Sequence, residues 1–417
     1  MIKLGTVFSG IGAIEQALKR LNIEREIVFA CDNGDIELSL FDRTTQKEYK
    51  KLQTKRGKRT LSEEDTIRLN DLSQKENDLA ENTRRYIYGL DSKQAKMEYV
   101  EALYKKSGRK TNYVKETYLA NYPETQDFHL DIRFLDGKDY SGAIDLLVGG
   151  SPCQAFSTVG AQAGLDDTRG TLFYEFARII DEVQPKAFIY ENVKGLTTHD
   201  NGKTWEMIKH IFTDVLHYRI SEPKLLNASD YGIPQTRRRV FVIGIREDIR
   251  CAEYQYPAEI GCDFSMQDFL EDNCAIGGLT SGVDGKIHIT RKPGDQEHIK
   301  KYIMTPKVRD YVLSSGTKNF KTSTKTDLPI ARTLLKTMTQ HHRAGVDNYI
   351  TVGYEPDGKK IVRALTDREC LRLMGYPDTF KIVVPPMQVY RQAGNSIVVD
   401  VMMAVVNSLI ETGVFDN

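Results

Sequence analysis

The sequence predicts an α/β protein built on a doubly wound, mixed but mostly parallel sheet. Short β-branched runs end in Gly, Asp or Ser, and an amphipathic segment follows each of them. This alternation occupies the first 35 residues and about 128–246, and it resumes after Val362. Two stretches that break the rhythm, 36–110 and about 247–353, read as insertions into the sheet domain.

Strands are expected at Lys3–Phe8, Glu26–Ala30, Ile144–Val148, Ala187–Tyr190 and Val240–Ile245. The intervening helices are expected at Ile11–Arg20, Lys115–Asn121, Gly170–Val183 and Trp205–Leu216. Residues 36–110 are polar, with Leu69, Leu72, Leu79, Tyr86 and Leu90 at loosely helical spacing after a capped start at Thr60–Glu64, and they read as an inserted helical hairpin. After the second break, Thr366–Gly375 reads as a capped helix stopped by glycine and Pro377, and Asn395–Thr412 as an apolar helix. The expected division is therefore a catalytic domain of 1–246 and 360–417, interrupted at 36–110, and a smaller inserted domain of 247–359.

At 417 residues and 47.4 kDa the chain suits two or three domains, and it can bury a core without disulfide or metal staples. None of its six cysteines forms a C-x-x-C pair, so no metal site is expected. No apolar run approaches the ~18 residues of a membrane span. Met1–Ser9 lacks a signal-peptide pattern, and a reducing cytoplasmic setting is expected. Lys plus Arg and Asp plus Glu are both 58, which excludes a uniformly basic sleeve. The neutrality is uneven. Between Lys286 and Arg343 there are 13 Lys or Arg against 4 Asp or Glu, a local excess of +9 that points to a polyanion partner.

Four motifs carry chemistry. Phe8-Ser9-Gly10-Ile11-Gly12 lies at a strand-to-helix turn, where glycines let backbone approach a ligand and a helix start offers free N–H groups. Asp32 ends the second strand, where a carboxylate suits ribose hydroxyls. Gly149 to Ser157 sets Cys153 on a loop beyond a strand's carboxyl end, a place for a nucleophilic thiolate, with Pro152 stiffening the loop. Glu191, at the end of the next strong strand, suits contact with a ring nitrogen if burial raises its pKa. Arg237 and Arg239, two apart in an extended segment, face one side and suit a carbonyl oxygen or a phosphate.

In this order the motifs resemble the cytosine carbon-5 DNA methyltransferase family, of the bacterial or phage restriction-modification type. The likeness rests on Phe8–Gly12, Gly150-Ser151-Pro152-Cys153-Gln154, Asp167–Leu172, Glu191-Asn192-Val193, Gln235–Arg239, Arg363–Pro377 and Gln392–Ser396, and it covers nearly everything except about 36–110 and 250–355. It implies the S-adenosylmethionine-dependent methyltransferase fold with a target-recognition domain. It also implies methyl transfer from S-adenosyl-L-methionine to carbon 5 of a flipped-out cytosine in double-stranded DNA. Its implied catalytic set is Cys153, Gln154, Glu191, Asn192, Arg237 and Arg239. Cys153 would add to carbon 6, Glu191 would hold N3 and the exocyclic amine, Arg239 with Arg237 would bind the O2 side, and Asn192 would position the loop.

The implied cofactor set is Phe8, Ser9, Gly10, Ile11, Gly12, Asp32, Asn33, Asp131, Ile132, Pro152, Asn395 and Ser396. Within it, Asp131 would accept from the adenine amine, Ile132 would lie against the ring, and Asn395 and Ser396 would close around the amino-acid end. Asn33 stands where the family places an apolar or aromatic residue against adenine. The basic region around 286–343 would meet the DNA, with Thr333-Leu334 near the flipped base. The resemblance further implies a monomer in a bacterial or phage-infected cytoplasm, protecting DNA from a cognate restriction endonuclease. Two other readings are a tRNA cytosine-5 methyltransferase, which the long basic region disfavours, and a non-catalytic DNA-binding protein, which the presence of Cys153, Glu191 and Arg239 disfavours.

Overall fold

The computed structural model describes residues 1–58, 60–108, 111–151, 172–271, 276–282, 285–292, 296–317 and 320–416. The chain opens with β1 (Ile2–Val7), α1 (Ala13–Arg20) and β2 (Arg25–Cys31). Three helices fill the first insertion: α2 (Arg43–Gly57), α3 (Glu63–Tyr88) and α4 (Lys93–Lys106). Then come α5 (Tyr113–Asn121), β3 (Asp127–His129), β4 (Leu146–Gly149), α6 (Leu172–Val183), β5 (Ala187–Val193) and α7 (Lys203–His210). A run of β6 (Tyr218–Ile220), β7 (Lys224–Asn227) and β8 (Arg238–Arg246) completes the central sheet. The second insertion carries β9 (Ile276–Ser281), β10 (Ile287–Lys292), α8 (Gln296–Lys300), α9 (Pro306–Leu313), β11 (Gly316–Thr317) and β12 (Phe320–Lys321). It closes with the hairpin β13 (Tyr349–Tyr354) and β14 (Lys360–Ala364), which spans the expected boundary at 359. Helices α10 (Asp367–Arg372), α11 (Pro386–Asn395) and α12 (Val399–Ile410) end the chain.

The eight-stranded sheet has the order β3-β2-β1-β4-β5-β8-β6, with β7 also on β8. The pairs from β3 to β5 are parallel, and β8 runs antiparallel to β5, β6 and β7. Parallel strands covered on both faces read as continuous apolar runs, and Leu146, Leu147 and Val148 are all buried. On one face α12 packs on α1 through Ala17, Leu18, Met402 and Val405. On the other, the aromatic side of α6 packs with Phe188, Tyr190 and Phe212. Chain order reverses between β1 and β4, so their carboxyl ends open the crevice where ligands bind in such sheets.

Three expected elements differ in detail. The inserted hairpin is three helices, because Asp42, Ser62 and Ser92 each cap a separate start. The helix expected over Asn395–Thr412 is α12 and starts only at Val399, since Ser396 is extended and Asn395 ends the separate helix α11. Helix α7 stops at His210 and passes into a wider turn over Ile211–Val215. The segment Pro386–Ile410, with a mean hydropathy of 1.6, alone among the described helical segments has the length and composition of a membrane span. It is the broken pair α11–α12, and α12 belongs to the core.

Two buried ion pairs tie the returning C-terminal segment to the rest. Arg20 reaches both Asp400 oxygens at 2.8 Å and donates to the carbonyls of Gly375 and Gly285. Arg363 and Glu369 are both fully buried, and Glu369 also accepts from the backbone of Thr366 and Glu271. Removing one partner of a buried pair leaves an uncompensated charge. Arg363→Met should therefore cost about 3–5 kcal/mol of folding stability, read as a lowered urea midpoint at unchanged slope. Arg363→Met with Glu369→Gln should regain part of that loss.

Candidate active site

The first wall of the crevice is the turn after β1. Phe8, Gly10 and Gly12 all have positive φ (54°, 54° and 82°). Gly12 has no alternative there, since a Cβ would lie 2.2 Å from the Tyr122 ring, whose hydroxyl donates to the Gly12 carbonyl at 2.8 Å. A Cβ on Gly10 would meet nothing within 4 Å, so this edge is open. Ser9 knits the turn to β2, accepting from the Cys31 amide at 3.0 Å, and Ile11 is buried behind it. Helix α1 then starts without a side-chain cap, leaving its first amides available to an anion.

The second wall is the end of β2. The Asp32 carboxylate accepts from the Gly10 amide at 2.9 Å and the Gly34 amide at 2.7 Å, joining the two turns. Burial raises its pKa and those amides pull it back. Each oxygen keeps acceptor capacity for a diol. Asn33 is exposed and folds back on the Asp35 amide. Just beyond β3, Asp131 and Ile132 are both buried. The Asp131 carboxylate accepts from Arg133 through its backbone amide, Nε and Nη2, and from the Tyr104 hydroxyl of α4. Those four bonds use the acceptor directions of a carboxylate, so an adenine amine would have to displace one of them. Tyr104 and Arg133 carry no sequence motif that would have marked them.

The third wall is formed by β4, β5 and β8. Val7 pairs with Gly149, and Gly149 with Tyr190. Asn192 donates to the Ser151 carbonyl at 3.1 Å, and the Ser151 hydroxyl meets Tyr190 at 2.8 Å, so β5 fixes the last described residue before the loop. Pro152, Cys153 and Gln154, and the stretch up to Thr171, lie outside the described residues. A Cβ on Gly150 would lie 2.6 Å from Glu191 Oε2, so the carboxylate lies directly against Gly150, three residues before Cys153 in the sequence. Glu191 meets Arg239 Nε at 3.0 Å across the antiparallel pair β5–β8. Desolvation raises the Glu191 pKa, and Arg239, then Arg237, oppose the rise.

The two arginines have different partners. Arg239 is partly exposed and faces Glu191. Arg237 is buried and donates to the carbonyls of Leu334 (3.0 Å), Gly394 (2.9 Å) and Ser396 (2.6 Å). Burial pulls its pKa down to about 9, which leaves it charged at neutral pH. It clamps three segments together instead of reaching the crevice. Gln235 adds to the clamp, accepting from the Leu334 amide and donating to the Leu373 carbonyl. Gly394 completes it, since a Cβ there would lie 2.2 Å from the Lys336 amide nitrogen. Asn395 donates to Asp35 at 3.1 Å, and Ser396 meets the Tyr376 hydroxyl at 2.9 Å beside the first wall.

The chemistry of this crevice suits an adenosine-linked amino acid: acceptors for a diol at Asp32, an open glycine edge at Gly10, and uncapped amides at α1. No group of three His, Cys, Asp or Glu side chains is placed to hold a metal among the described residues.

Residues 87–411 match the family described as C-5 cytosine-specific DNA methylase. The chain is 36% identical over 306 residues to the Type II methyltransferase M1.ScrFI of Lactococcus lactis subsp. cremoris, covering 71% of this chain and 69% of that protein. It is 35% identical over 292 residues to the Type II methyltransferase M.HhaI of Haemophilus parahaemolyticus, covering 70% and 82% respectively. In fold it is similar to the Dnmt2 methyltransferase of S. pombe, with a TM-score of 0.58 at 16% identity over 99% of both chains.

Proposed function

The chain belongs to the C-5 cytosine-specific DNA methylase family, and from that premise we propose that it methylates a flipped-out cytosine in a specific duplex sequence through a covalent bond to Cys153. It is an S-adenosylmethionine-dependent DNA cytosine-5 methyltransferase. The observation that carries the finer reading is the Glu191–Arg239 pair, held against the first residues of the loop that bears Cys153.

Carbon 5 of cytosine is a poor nucleophile. The Cys153 thiolate would add at carbon 6 and push an electron pair toward carbon 5. Glu191 would meet N3 and the exocyclic amine, and the proton that burial favours on its carboxyl would stabilise the ring as that charge develops. The Arg239 guanidinium would take the O2 side. S-adenosylmethionine supplies an electrophilic methyl group when bound. Once carbon 5 is methylated, a base would remove its proton and the electron pair would return to expel the Cys153 sulfur. Asp32 would hold the ribose hydroxyls, the Phe8–Gly12 turn and Ser396 the amino-acid end, and Ile132 the adenine face. Asn192, through its bond to Ser151, would set the position of the loop. Arg237 would serve by holding Leu334 and Ser396 in place. The target carbon lies inside the base stack, so extruding the base costs a few kcal/mol, roughly, before chemistry begins.

The basic region around 286–343 would hold the duplex, with its cations on phosphates and a few side chains at base edges. The likeness to Type II methyltransferases supports a role in protecting host DNA from a cognate endonuclease in the cytoplasm. Bisulfite sequencing of a bacterial genome expressing the protein tests this directly. The expected result is conversion-resistant cytosine within one short motif. Resistance in tRNA and none in genomic DNA would overturn it.

A further inference from the structure

We propose that α2 is a second DNA-binding element that grips the phosphate backbone flanking the target site; this rests on the reading of duplex DNA as substrate. Helix α2 carries six Lys or Arg and one carboxylate. At 100° per residue, Arg43, Lys47, Lys50, Lys51 and the C-capping Lys58 fall on one face spanning about 100°. All five are exposed. The opposite face is apolar and already used, because Tyr49 and Leu52 are buried against Leu69 and Leu72 of α3. That leaves no apolar face to enter a bilayer.

The charge on this face is not neutralised locally. Glu48 is taken by Arg68, Lys55 by Asp65, and Lys50 meets Glu37 at 3.5 Å. Among the described residues Arg43, Lys47, Lys51 and Lys58 have no carboxylate partner. Like charges at i, i+4 destabilise a helix by about 0.2–0.5 kcal/mol per pair, and Arg43, Lys47 and Lys51 form two such pairs. Helix α3, with seven carboxylates and four cations, lies alongside, and its Glu76 acts electrostatically on Lys50 of this stripe. An external polyanion resolves the arrangement.

Geometry supports the same duplex as that polyanion. Helices α3 and α4 fasten the insertion to the sheet domain. Arg84 donates to the Arg133 carbonyl at 2.7 Å and pairs with Glu175 in the first turn of α6, just beyond the Cys153 loop. Lys96 bridges Asp136 and Asp139 at 2.7 Å each. The linker into α2 borders the crevice, since Asp35 lies 3.1 Å from Asn395 and 3.9 Å from Lys336 of the basic recognition region. Two residues along the chain from Asp35, Glu37 touches Lys50 on the α2 stripe. Two basic elements therefore flank one short linker beside the site.

The test compares the unaltered protein with a variant carrying Arg43→Gln, Lys47→Gln, Lys51→Gln and Lys58→Gln, which keeps helix propensity. Dissociation constants are measured against salt on a 14-base-pair and a 40-base-pair duplex, each with one recognition site. Each phosphate contact contributes about 0.9 to the log–log salt slope. The variant should lose roughly 3 from that slope on the long duplex, bind it at least tenfold more weakly, and match the unaltered protein on the short one. The methylated sequence and kcat at saturating DNA should not change, and the corresponding Arg-and-Lys-swapped variant should keep the full slope. An unchanged slope on the long duplex overturns the role of α2 and leaves methyl transfer standing. Failure of the unaltered protein to bind or methylate any duplex overturns both readings.

Discussion

Cys153→Ser should abolish methyl transfer, by on the order of 10³–10⁶-fold, the range seen when a covalent catalyst loses its nucleophile, while duplex binding persists. The hydroxyl is far less ionised than a thiol and a poorer donor to an electron-poor ring carbon. Burial drives the thiols of Cys31 and Cys370 well up, and that of Cys262 up less, away from thiolate chemistry. Two measurements check the claim together. Tritiated-methyl transfer should fall to background in the variant while gel-shift affinity stays within a few-fold. A duplex with 5-fluorocytosine at the target, which lacks a removable carbon-5 proton, should trap the unaltered protein covalently at Cys153 and leave the variant free. Serine-variant activity within tenfold of normal, or trapping at another residue, would end the covalent reading.

What was legible in the sequence was local or ordered along the chain. The capping box of α10, Thr366 with Glu369, spans only four residues, and it forms as expected. The strand-end positions of Asp32 and Gly149 follow from strands whose apolar runs are continuous because both faces are covered, whereas β5 runs two residues past Glu191, to Val193. Long-range partners were not legible. The spacing of Arg237 and Arg239 predicts a shared side. It says nothing of the carbonyls 97, 157 and 159 residues away that absorb the Arg237 guanidinium. The bonds that occupy Asp131 likewise include a tyrosine from an insertion with no counterpart in the motifs. Strands β6 and β7 are three and four residues long, too short for a period-2 signal. Net charge misled most. A chain of zero formal charge holds a +9 stretch over 286–343 and a +5 helix, offset by carboxylates elsewhere such as those of α3.

Glu191→Gln should lower kcat by about 10²–10³-fold, within the range for a positioned proton donor, and should remove the fall in rate that Glu191 imposes as pH rises. The carboxyl is buried beside Gly150, and desolvation raises its pKa above the ordinary carboxylate value despite Arg239 and Arg237. A glutamine still donates a hydrogen bond to N3 but has no proton to transfer. In the unaltered protein the rate should therefore fall as pH rises through the Glu191 pKa, and the glutamine variant should not show that fall. The stability sign is opposite to that of a salt-bridged surface acid. Between the unfolded and the raised folded pKa the native state binds the extra proton, so stability declines as pH climbs through that window. Glutamine removes this dependence, and the variant should melt near the unaltered protein at neutral pH. Arg239→Ala separates the two effects. It strips Glu191 of its nearest cation, pushes the carboxyl pKa higher still, and should move that fall to higher pH while removing the O2-side charge. A glutamine variant that keeps both its kcat and the fall at rising pH would remove Glu191 from proton chemistry.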